Sequence, residues 1–197
     1  MFGKNKLGIL SFNEINELID EGVIENANRS SVNACSLNVT LGNSFLIEQR
    51  DNNHVSGIRY QALEFSKRES PTFITAEGGV FLAPGGFCLA ALVEKINLPN
   101  DIACHVMLRS SAARMGIEHS LAGWGDPGYS GNMTLEIKNV LQFHGIHLRS
   151  GDQIVQLIFH RVSPVPADRT YDKTGGKYSG DTGPQTIKQE IASGHIN

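Results

Sequence analysis

The sequence predicts a single, mainly β domain built as a compact barrel or sandwich. Short runs rich in β-branched and aromatic residues recur along the chain, and Gly and Pro residues separate them. The long helical segments of a βαβ protein do not alternate with these runs. With 197 residues, of which 40% are hydrophobic and 19% charged, the chain is long enough for one core, and a second domain is not expected.

A short N-terminal helix is predicted from a capping box, Ser11-Phe-Asn-Glu14. In this motif the Ser hydroxyl and the Glu carboxylate each accept a hydrogen bond from the other residue's backbone N–H. Ile15 and Leu18 follow at helical spacing, and Gly22 is suited to end the helix. We expect this helix to be structural.

The strands are predicted from alternation and composition. Leu37, Val39 and Leu41 alternate with polar residues and Gly42-Asn43 follows, which indicates a β-hairpin or a bent strand pair over residues 36–48. The polar segment 49–71 is expected to be a long surface excursion. Further strand-like runs are Val80–Leu82, Phe87–Val93, Ile102–Leu108, Met133–Ile137, Ile146–Leu148 and Ile154–Val162.

The C-terminal residues 164–197 differ in composition from the rest of the domain. Pro, Asp, Thr, Gly and Lys dominate there, and apolar periodicity is lost. We expect this segment to be a tail or lid that is either disordered or ordered only over a ligand.

Overall charge and cysteine usage exclude several classes of protein. A net charge of −3 argues against a general nucleic-acid binder, so any anionic ligand has to be bound by a few local cations. Cys35, Cys88 and Cys104 show no C-x-x-C spacing and are expected to be buried, reduced thiols. Neither a secretory signal nor a membrane-spanning run is recognisable, so a soluble cytoplasmic protein is expected.

A cationic, hydroxyl-rich segment, Arg109-Ser-Ser-Ala-Ala-Arg114, is a candidate phosphate site. It offers two hydroxyls and several backbone N–H groups at a helix start, with Arg114 one turn further on. The alternative is an ordinary capped helix with a solvated arginine, and the segment alone does not decide between them.

Two carboxylates are candidate site residues. Glu136 interrupts the apolar run Met-Thr-Leu-Glu-Ile, where partial burial would raise its pKa toward values useful for acid–base catalysis. It could equally point to solvent on the same face as Thr134. Asp126 lies in Gly-Asp-Pro-Gly, a sequence that favours a tight turn whatever the function.

Several enzyme motifs are missing. The chain contains no H-x-E, H-E-x-x-H or P-C-x-x-C segment, so the zinc-bound water of ordinary cytidine deaminases is not expected. The P-loop and the G-x-S-x-G elbow are also missing.

Several motifs in order resemble the dCTP deaminase branch of the trimeric dUTPase superfamily. They are Arg109-Ser-Ser-Ala-Ala-Arg114, Ala122-Gly-Trp-Gly-Asp-Pro-Gly-Tyr-Ser-Gly131, Thr134-Leu-Glu136, Asp152-Gln-Ile-Val-Gln-Leu-Ile158, Tyr171 and Lys177-Tyr-Ser-Gly-Asp-Thr-Gly-Pro184. The resemblance implies a dUTPase-like β-barrel assembled as a homotrimer, with each active site built from more than one subunit. It also implies deamination without zinc.

The resemblance further implies a role for each matching residue. Glu136 would be the general base that activates a water for attack on C4 of cytosine, while the Ser110 hydroxyl and the backbone near Ala122 position that water. Arg109, Ser110, Ser111, Arg114 and Lys177 would meet the triphosphate, Asp126 the deoxyribose hydroxyl, and Tyr171 would close over the nucleotide. The remaining matching contact positions are Ala112, Ala113, Thr134, Leu135 and Gln156.

Substrates and cofactor follow from the same resemblance. Mg²⁺ would arrive on the phosphates of dCTP or dUTP, and dTTP is a candidate feedback inhibitor. Gly123-Trp124 and the Gln156-Leu-Ile run favour a bifunctional enzyme that also hydrolyses dUTP to dUMP and pyrophosphate. A monofunctional deaminase, a plain dUTPase and a non-catalytic nucleotide sensor are the alternatives. Asn38, Gly125 and Asp181 depart from the usual family residues.

Overall fold

The computed structural model describes residues 7–49 and 62–188, which form a mainly β chain with a short N-terminal helix, as predicted. The helices are α1 (Phe12–Asp20) and α2 (Ser110–Arg114), with 3-10 turns at Arg29–Ser31 and Phe65–Lys67. The strands are β1 (Gly8–Ile9), β2 (Ile24–Glu25), β3 (Leu37–Val39), β4 (Leu41–Glu48), β5 (Phe73–Glu77), β6 (Gly79–Leu82), β7 (Phe87–Asn97), β8 (Ile102–Leu108), β9 (Ile117–Glu118), β10 (Trp124–Gly125), β11 (Ser130–Asn139), β12 (Ile146–Arg149) and β13 (Val155–Arg161).

The predicted capping box begins α1. The Glu14 carboxylate accepts hydrogen bonds from the Ser11 backbone N–H at 2.9 Å and from its hydroxyl at 2.7 Å. Ile15 and Leu18 are buried, and Gly22 adopts a φ of 73° directly after the helix. The helix is therefore confirmed at both ends.

The strands lie in three sheets. A five-stranded sheet has the order β1-β13-β8-β10, with β3 also paired to β13. A six-stranded sheet has the order β5-β4-β7-β11-β9, with β2 also paired to β7, and β12 pairs with β6. Buried residues of both large sheets, such as Leu157 and Ile137, belong to one hydrophobic cluster. Among the described strands no closed barrel is seen, because β5 and β9 each pair on one side only.

Of the two forms predicted for residues 36–48, a hairpin or a bent strand pair, the hairpin is wrong, because the two strands do not pair with each other. β3 pairs with β13 and β4 pairs with β5 and β7, so the chain crosses from one sheet to the other at Thr40. The Glu94 carboxylate, which is buried, accepts a hydrogen bond from the Thr40 backbone N–H at 2.9 Å at this crossing. Gly42 lies within β4, where an added Cβ would be 3.0 Å from the Ala91 carbonyl oxygen. The close approach of the Ala91 backbone, and not a turn, explains why a glycine stands at position 42.

Residues 164–188, in the predicted tail or lid, lie against the domain. The backbone N–H of Gly180 donates to the Ser130 carbonyl, and that of Asn132 donates to the Asp181 carbonyl. Thr170 and Asp181 are buried, and the rings of Tyr171 and Tyr178 pack on the core. Residues 50–61, in the predicted surface excursion, and 189–197, in the predicted tail, lie outside the described residues.

The environments of the cysteines correct one further expectation. Cys88 and Cys104 are buried, and burial raises the pKa of each thiol to about 12, but Cys35 is exposed. Within residues 7–49 and 62–188, no helix is both long enough and apolar enough to cross a membrane.

Candidate active site

A cavity of about 620 Å³ lies between the two large sheets and the C-terminal segment. β7 and β11 provide part of its wall, because their antiparallel register places Glu136 opposite Leu89. Cross-strand partners project to the same side of a sheet, so these two side chains enter the cavity together. The full lining is Glu69, Ser70, Pro71, Phe73, Phe87, Leu89, Val106, Ala122, Gly123, Trp124, Asp126, Tyr129, Met133, Thr134, Glu136, Tyr171, Tyr178, Gln185, Thr186 and Ile187.

Glu136 is half-buried on the cavity side of β11. Its neighbours Leu135 and Ile137 point into the core, so strand alternation directs Glu136 and Thr134 to the opposite face. The C-terminal segment covers this face, since the Gln185 backbone N–H donates to the Thr134 hydroxyl at 3.1 Å. Burial raises the pKa of the Glu136 carboxyl above its usual range. The carboxylate therefore faces a cavity, not open solvent.

The loop from Ser120 to Asp126 forms a second wall. Ser120 and Leu121 both have left-handed backbone angles, with φ of 57° and 56°, and they lead Ala122 to the cavity. Such angles are uncommon outside glycine and place local strain beside the candidate site. The Asp126 carboxylate accepts a hydrogen bond from Trp124 Nε1 at 2.8 Å.

Tyr171 closes the cavity from the C-terminal segment. Its backbone N–H donates to the Pro127 carbonyl at 2.9 Å, and its ring centroid lies 5.7 Å from that of Tyr129. Its hydroxyl accepts a hydrogen bond from the Tyr178 backbone N–H. Burial, followed by the nearby Asp181 carboxylate, raises the pKa of Tyr129. The predicted site residues Ala122, Asp126, Thr134, Glu136 and Tyr171 thus share one cavity.

The cationic segment does not line this cavity. Ser110, Ser111, Ala113 and Arg114 are exposed on α2, whereas Ala112 is buried. The Arg109 guanidinium donates from Nη1 to the Gln153 carbonyl at 2.8 Å, which directs it toward the β12–β13 turn. Within one chain, the predicted phosphate-binding residues and Glu136 therefore lie at separate places.

Three other predicted contact residues are also outside the cavity lining. Leu135 is buried in the core, and Gln156 accepts a hydrogen bond from the Ser36 hydroxyl at 2.8 Å. Lys177 lies in the C-terminal segment, where its carbonyl accepts a hydrogen bond from Lys188 Nζ. Among the described residues, no group of three His, Cys, Asp or Glu side chains could hold a metal ion.

Sequence reasoning missed the apolar part of the lining. Phe87 and Leu89 belong to a recognised strand, and their spacing of two places them on one face. The missing information was which face meets Glu136, because that depends on the register with β11. Tyr178 and residues 185–187 carry no periodic signal and reach the cavity only because the C-terminal segment folds back.

The sequence is similar to a known family over most of its length. A family model described as dCTP deaminase-like matches residues 9–162. A Nanoarchaeum equitans protein named dCTP deaminase, dUMP-forming, is 35% identical over 189 residues, covering 89% of this chain and 94% of its own length. A Natronomonas pharaonis protein named dCTP deaminase is 38% identical over 191 residues, covering 91% and 94%.

The fold is also found among solved structures. The crystal structure of 2'-deoxycytidine 5'-triphosphate deaminase from Agrobacterium tumefaciens superimposes with a TM-score of 0.62 at 21% identity. The match covers 80% of this chain and 49% of that chain, and it concerns the fold alone. On the strength of the family model and of these full-length relatives, the chain belongs to the dCTP deaminase-like family.

Proposed function

We propose that this protein deaminates dCTP to dUTP and ammonia, and then hydrolyses dUTP to dUMP and pyrophosphate. The observation that carries the first step is the half-buried Glu136 carboxylate in the wall of a largely apolar cavity. Relatives named dCTP deaminase, dUMP-forming, such as the one from Nanoarchaeum equitans, support the second step.

The deamination assigns one proton path to Glu136. The Glu136 carboxylate takes a proton from a water molecule while the oxygen of that water bonds to C4 of cytosine. The carboxyl group then passes a proton to ring N3. The C4–N4 bond then breaks, ammonia leaves with a further proton, and the C4 carbonyl of uracil forms. The Ser110 hydroxyl and the Ala122 backbone would position the attacking water, and the Arg114 charge would support the reacting centre.

We propose a homotrimer in which a neighbouring copy supplies the phosphate-binding turn. The turn from Arg109 to Arg114 is outside the cavity of its own chain and largely exposed, so that Arg114 can reach a neighbour. Exposed large apolar side chains, including Met115, Leu121 and Phe143, support an assembly that covers them. Lys177 and Gln156 would complete the nucleotide contacts.

Mg²⁺ belongs to the proposed substrate. This cation prefers oxygen ligands and retains several waters, so it can arrive on the triphosphate of dCTP or dUTP. Zinc independence and feedback inhibition by dTTP rest on the family resemblance, and a cytoplasmic location completes the proposal.

A monofunctional deaminase is the second candidate. It is favoured by the Natronomonas pharaonis relative, which is 38% identical to this chain. That relative is named dCTP deaminase, without the words dUMP-forming. In that case dUTP would leave the cavity unhydrolysed.

One assay separates these functions. The purified protein is incubated with dCTP and Mg²⁺ while ammonia and pyrophosphate are followed in the same tube, with dUTP and dCMP as parallel substrates. Matching ammonia and pyrophosphate release is expected for the bifunctional enzyme. Ammonia alone would indicate the monofunctional deaminase, pyrophosphate from dUTP alone a dUTPase, and no product from any substrate would contradict enzymatic function.

A further inference from the structure

Within the described residues, one side-chain hydrogen bond orients Asp126, and Trp124 donates it. The indole Nε1–H donates to Asp126 Oδ1 at 2.8 Å, and both side chains line the cavity. A carboxylate with one oxygen held by a fixed donor presents its second oxygen in a restricted direction. The geometry of Asp126 therefore depends on where the indole is held.

The indole is held by the five-stranded sheet. β10 places Trp124 opposite His105 and Gly125 opposite Cys104. The indole packs edge-on against His105 and also contacts His160, with ring centroids 6.0 Å away in each case.

Two glycines fix the backbone on either side of Trp124. A Cβ on Gly123 would lie 2.7 Å from both Cβ and the carbonyl oxygen of Val106, and one on Gly125 would lie 2.7 Å from Cys104 Sγ. The Val106 N–H also donates to the Gly123 carbonyl at 2.7 Å. Because the backbone lies this close to β8, the Cα atom of Trp124 is held at a fixed position, from which the indole projects.

We propose that Trp124 is a positioning residue that sets the selectivity of the site for the deoxyribose 3'-hydroxyl. By occupying Oδ1, the indole leaves Oδ2 of Asp126 to accept a hydrogen bond from that hydroxyl. The inference rests on the proposed function, because it takes a deoxynucleotide as the ligand of this cavity. The inference gives Trp124 of the Gly123-Trp124 pair a role in sugar recognition. This role is separate from the direct contact between Asp126 and the sugar.

The test compares two ligands that differ only at the 3' carbon, dCTP and 2',3'-dideoxy-CTP. Trp124→Phe keeps an aromatic ring and removes the N–H. In a Glu136→Gln background, in which dCTP is not consumed during the measurement, its Kd for dCTP, measured by calorimetry with Mg²⁺, should rise about fivefold, the usual effect of one lost hydrogen bond. Its Kd for 2',3'-dideoxy-CTP should stay within about twofold of wild type, because that ligand has no hydroxyl for Asp126. An equal rise for both ligands would overturn the proposal.

A double-mutant cycle provides the matched control. If Trp124 acts through Asp126, adding Trp124→Phe to Asp126→Ala should not weaken dCTP binding further. A further loss equal to that in the wild-type background would overturn the proposal.

A third measurement does not depend on the folding of Trp124→Phe. Trp124 is the only tryptophan of the chain, so its indole N–H gives a single NMR resonance. In Asp126→Ala this resonance should move to the position of a water-exposed indole. An unchanged resonance would contradict the hydrogen bond on which the proposal depends.

Failure of the proposed function gives a different result. Wild-type protein that binds dCTP but releases no ammonia would refute deamination, and the ratio of the two Kd values would still decide the role of Trp124. Wild-type protein that binds neither nucleotide would overturn the inference itself.

Discussion

The half-buried position of Glu136 lowers the stability of the folded protein when its carboxyl group is ionised. Burial raises the pKa of its carboxyl, so the folded protein favours the protonated form more than the unfolded chain does. The stabilising contribution of such a group is present below its unfolded pKa and is lost as pH rises through the folded pKa. At neutral pH the ionised carboxylate therefore destabilises the fold relative to a neutral side chain of the same shape.

Glu136→Gln should separate catalysis from stability. Ammonia release should fall about a thousandfold, the usual contribution of a general base, while dCTP affinity stays within a few-fold. The melting temperature should exceed that of wild type at about pH 8, and the two proteins should converge near pH 4, where the wild-type carboxyl is protonated. Wild-type ammonia release, or complete loss of binding, would contradict the assigned role.

Gly125 illustrates a residue whose identity is set by packing. A glycine here, in place of the usual family residue, would by itself allow a looser loop. Instead Gly125 is buried in β10, and a Cβ would meet Cys104 Sγ and Met133 Cε, each at 2.7 Å. Neighbouring side chains already occupy the space that an aliphatic side chain would need.

Gly125→Ala should destabilise the protein by about 1–3 kcal/mol, because the added methyl overpacks a filled site. Urea unfolding measures this difference. Gly183→Ala is the matched control, since a Cβ there meets no atom within 4 Å. Equal stability of the two variants would contradict the packing at Gly125.

Among the larger elements, the C-terminal segment covers the cavity. Residues 185–187 line the cavity, and the segment that holds them is closed by an ion pair between Asp181 and Lys188. Lys188 Nζ also donates to the Lys177 carbonyl at 3.2 Å and lies 5.5 Å from the Tyr178 ring centroid. The Asp181 carboxylate, which departs from the usual family residue, is thus neutralised within its own chain.

Lys188→Met should weaken dCTP binding about tenfold, because it leaves the buried Asp181 carboxylate without its partner. The double variant Asp181→Asn/Lys188→Met should bind more tightly than Lys188→Met alone, since no uncompensated charge remains. Calorimetry on the single and double variants gives the coupling energy. Additive effects would show that the pair does not act as a unit.

At the scale of the whole molecule, the predicted site falls into two parts. Glu136 and Asp126 line the cavity, whereas the phosphate-binding candidates Ser110, Ser111 and Arg114 are exposed on α2 outside it. An active site completed by a neighbouring copy would unite them.

Subunit mixing tests this assembly. Glu136→Gln and Arg114→Ala should each be inactive as pure proteins. When equal amounts are unfolded together and refolded, about a quarter of the sites should combine an intact Glu136 with an intact Arg114 from another chain. Ammonia release should then return to about a quarter of the wild-type rate. No recovery, with mixed trimers verified by mass spectrometry, would place both residues in one subunit's site.

The local elements and the chemistry they carry could be predicted from the sequence. The capping box specified α1, and runs rich in β-branched and aromatic residues located β8, β13 and parts of β6, β7, β11 and β12, because these signals act between residues close in the chain. The motifs around Arg109, Ala122 and Glu136 also indicated the family before any coordinates, since they name residue types and spacings.

Which faces of these elements meet could not be predicted and depends on the folded chain. The two-residue strands β1, β2, β9 and β10 are too short to show a period. The β3–β4 crossing depends on the pairing of β3 with β13, whose residues lie more than 100 positions away in the sequence. The folded-back segment 164–188 and the separation of Glu136 from Arg114 both depend on such distant contacts. Local pattern cannot encode them, because register and packing are set by residues that meet only when the chain is folded.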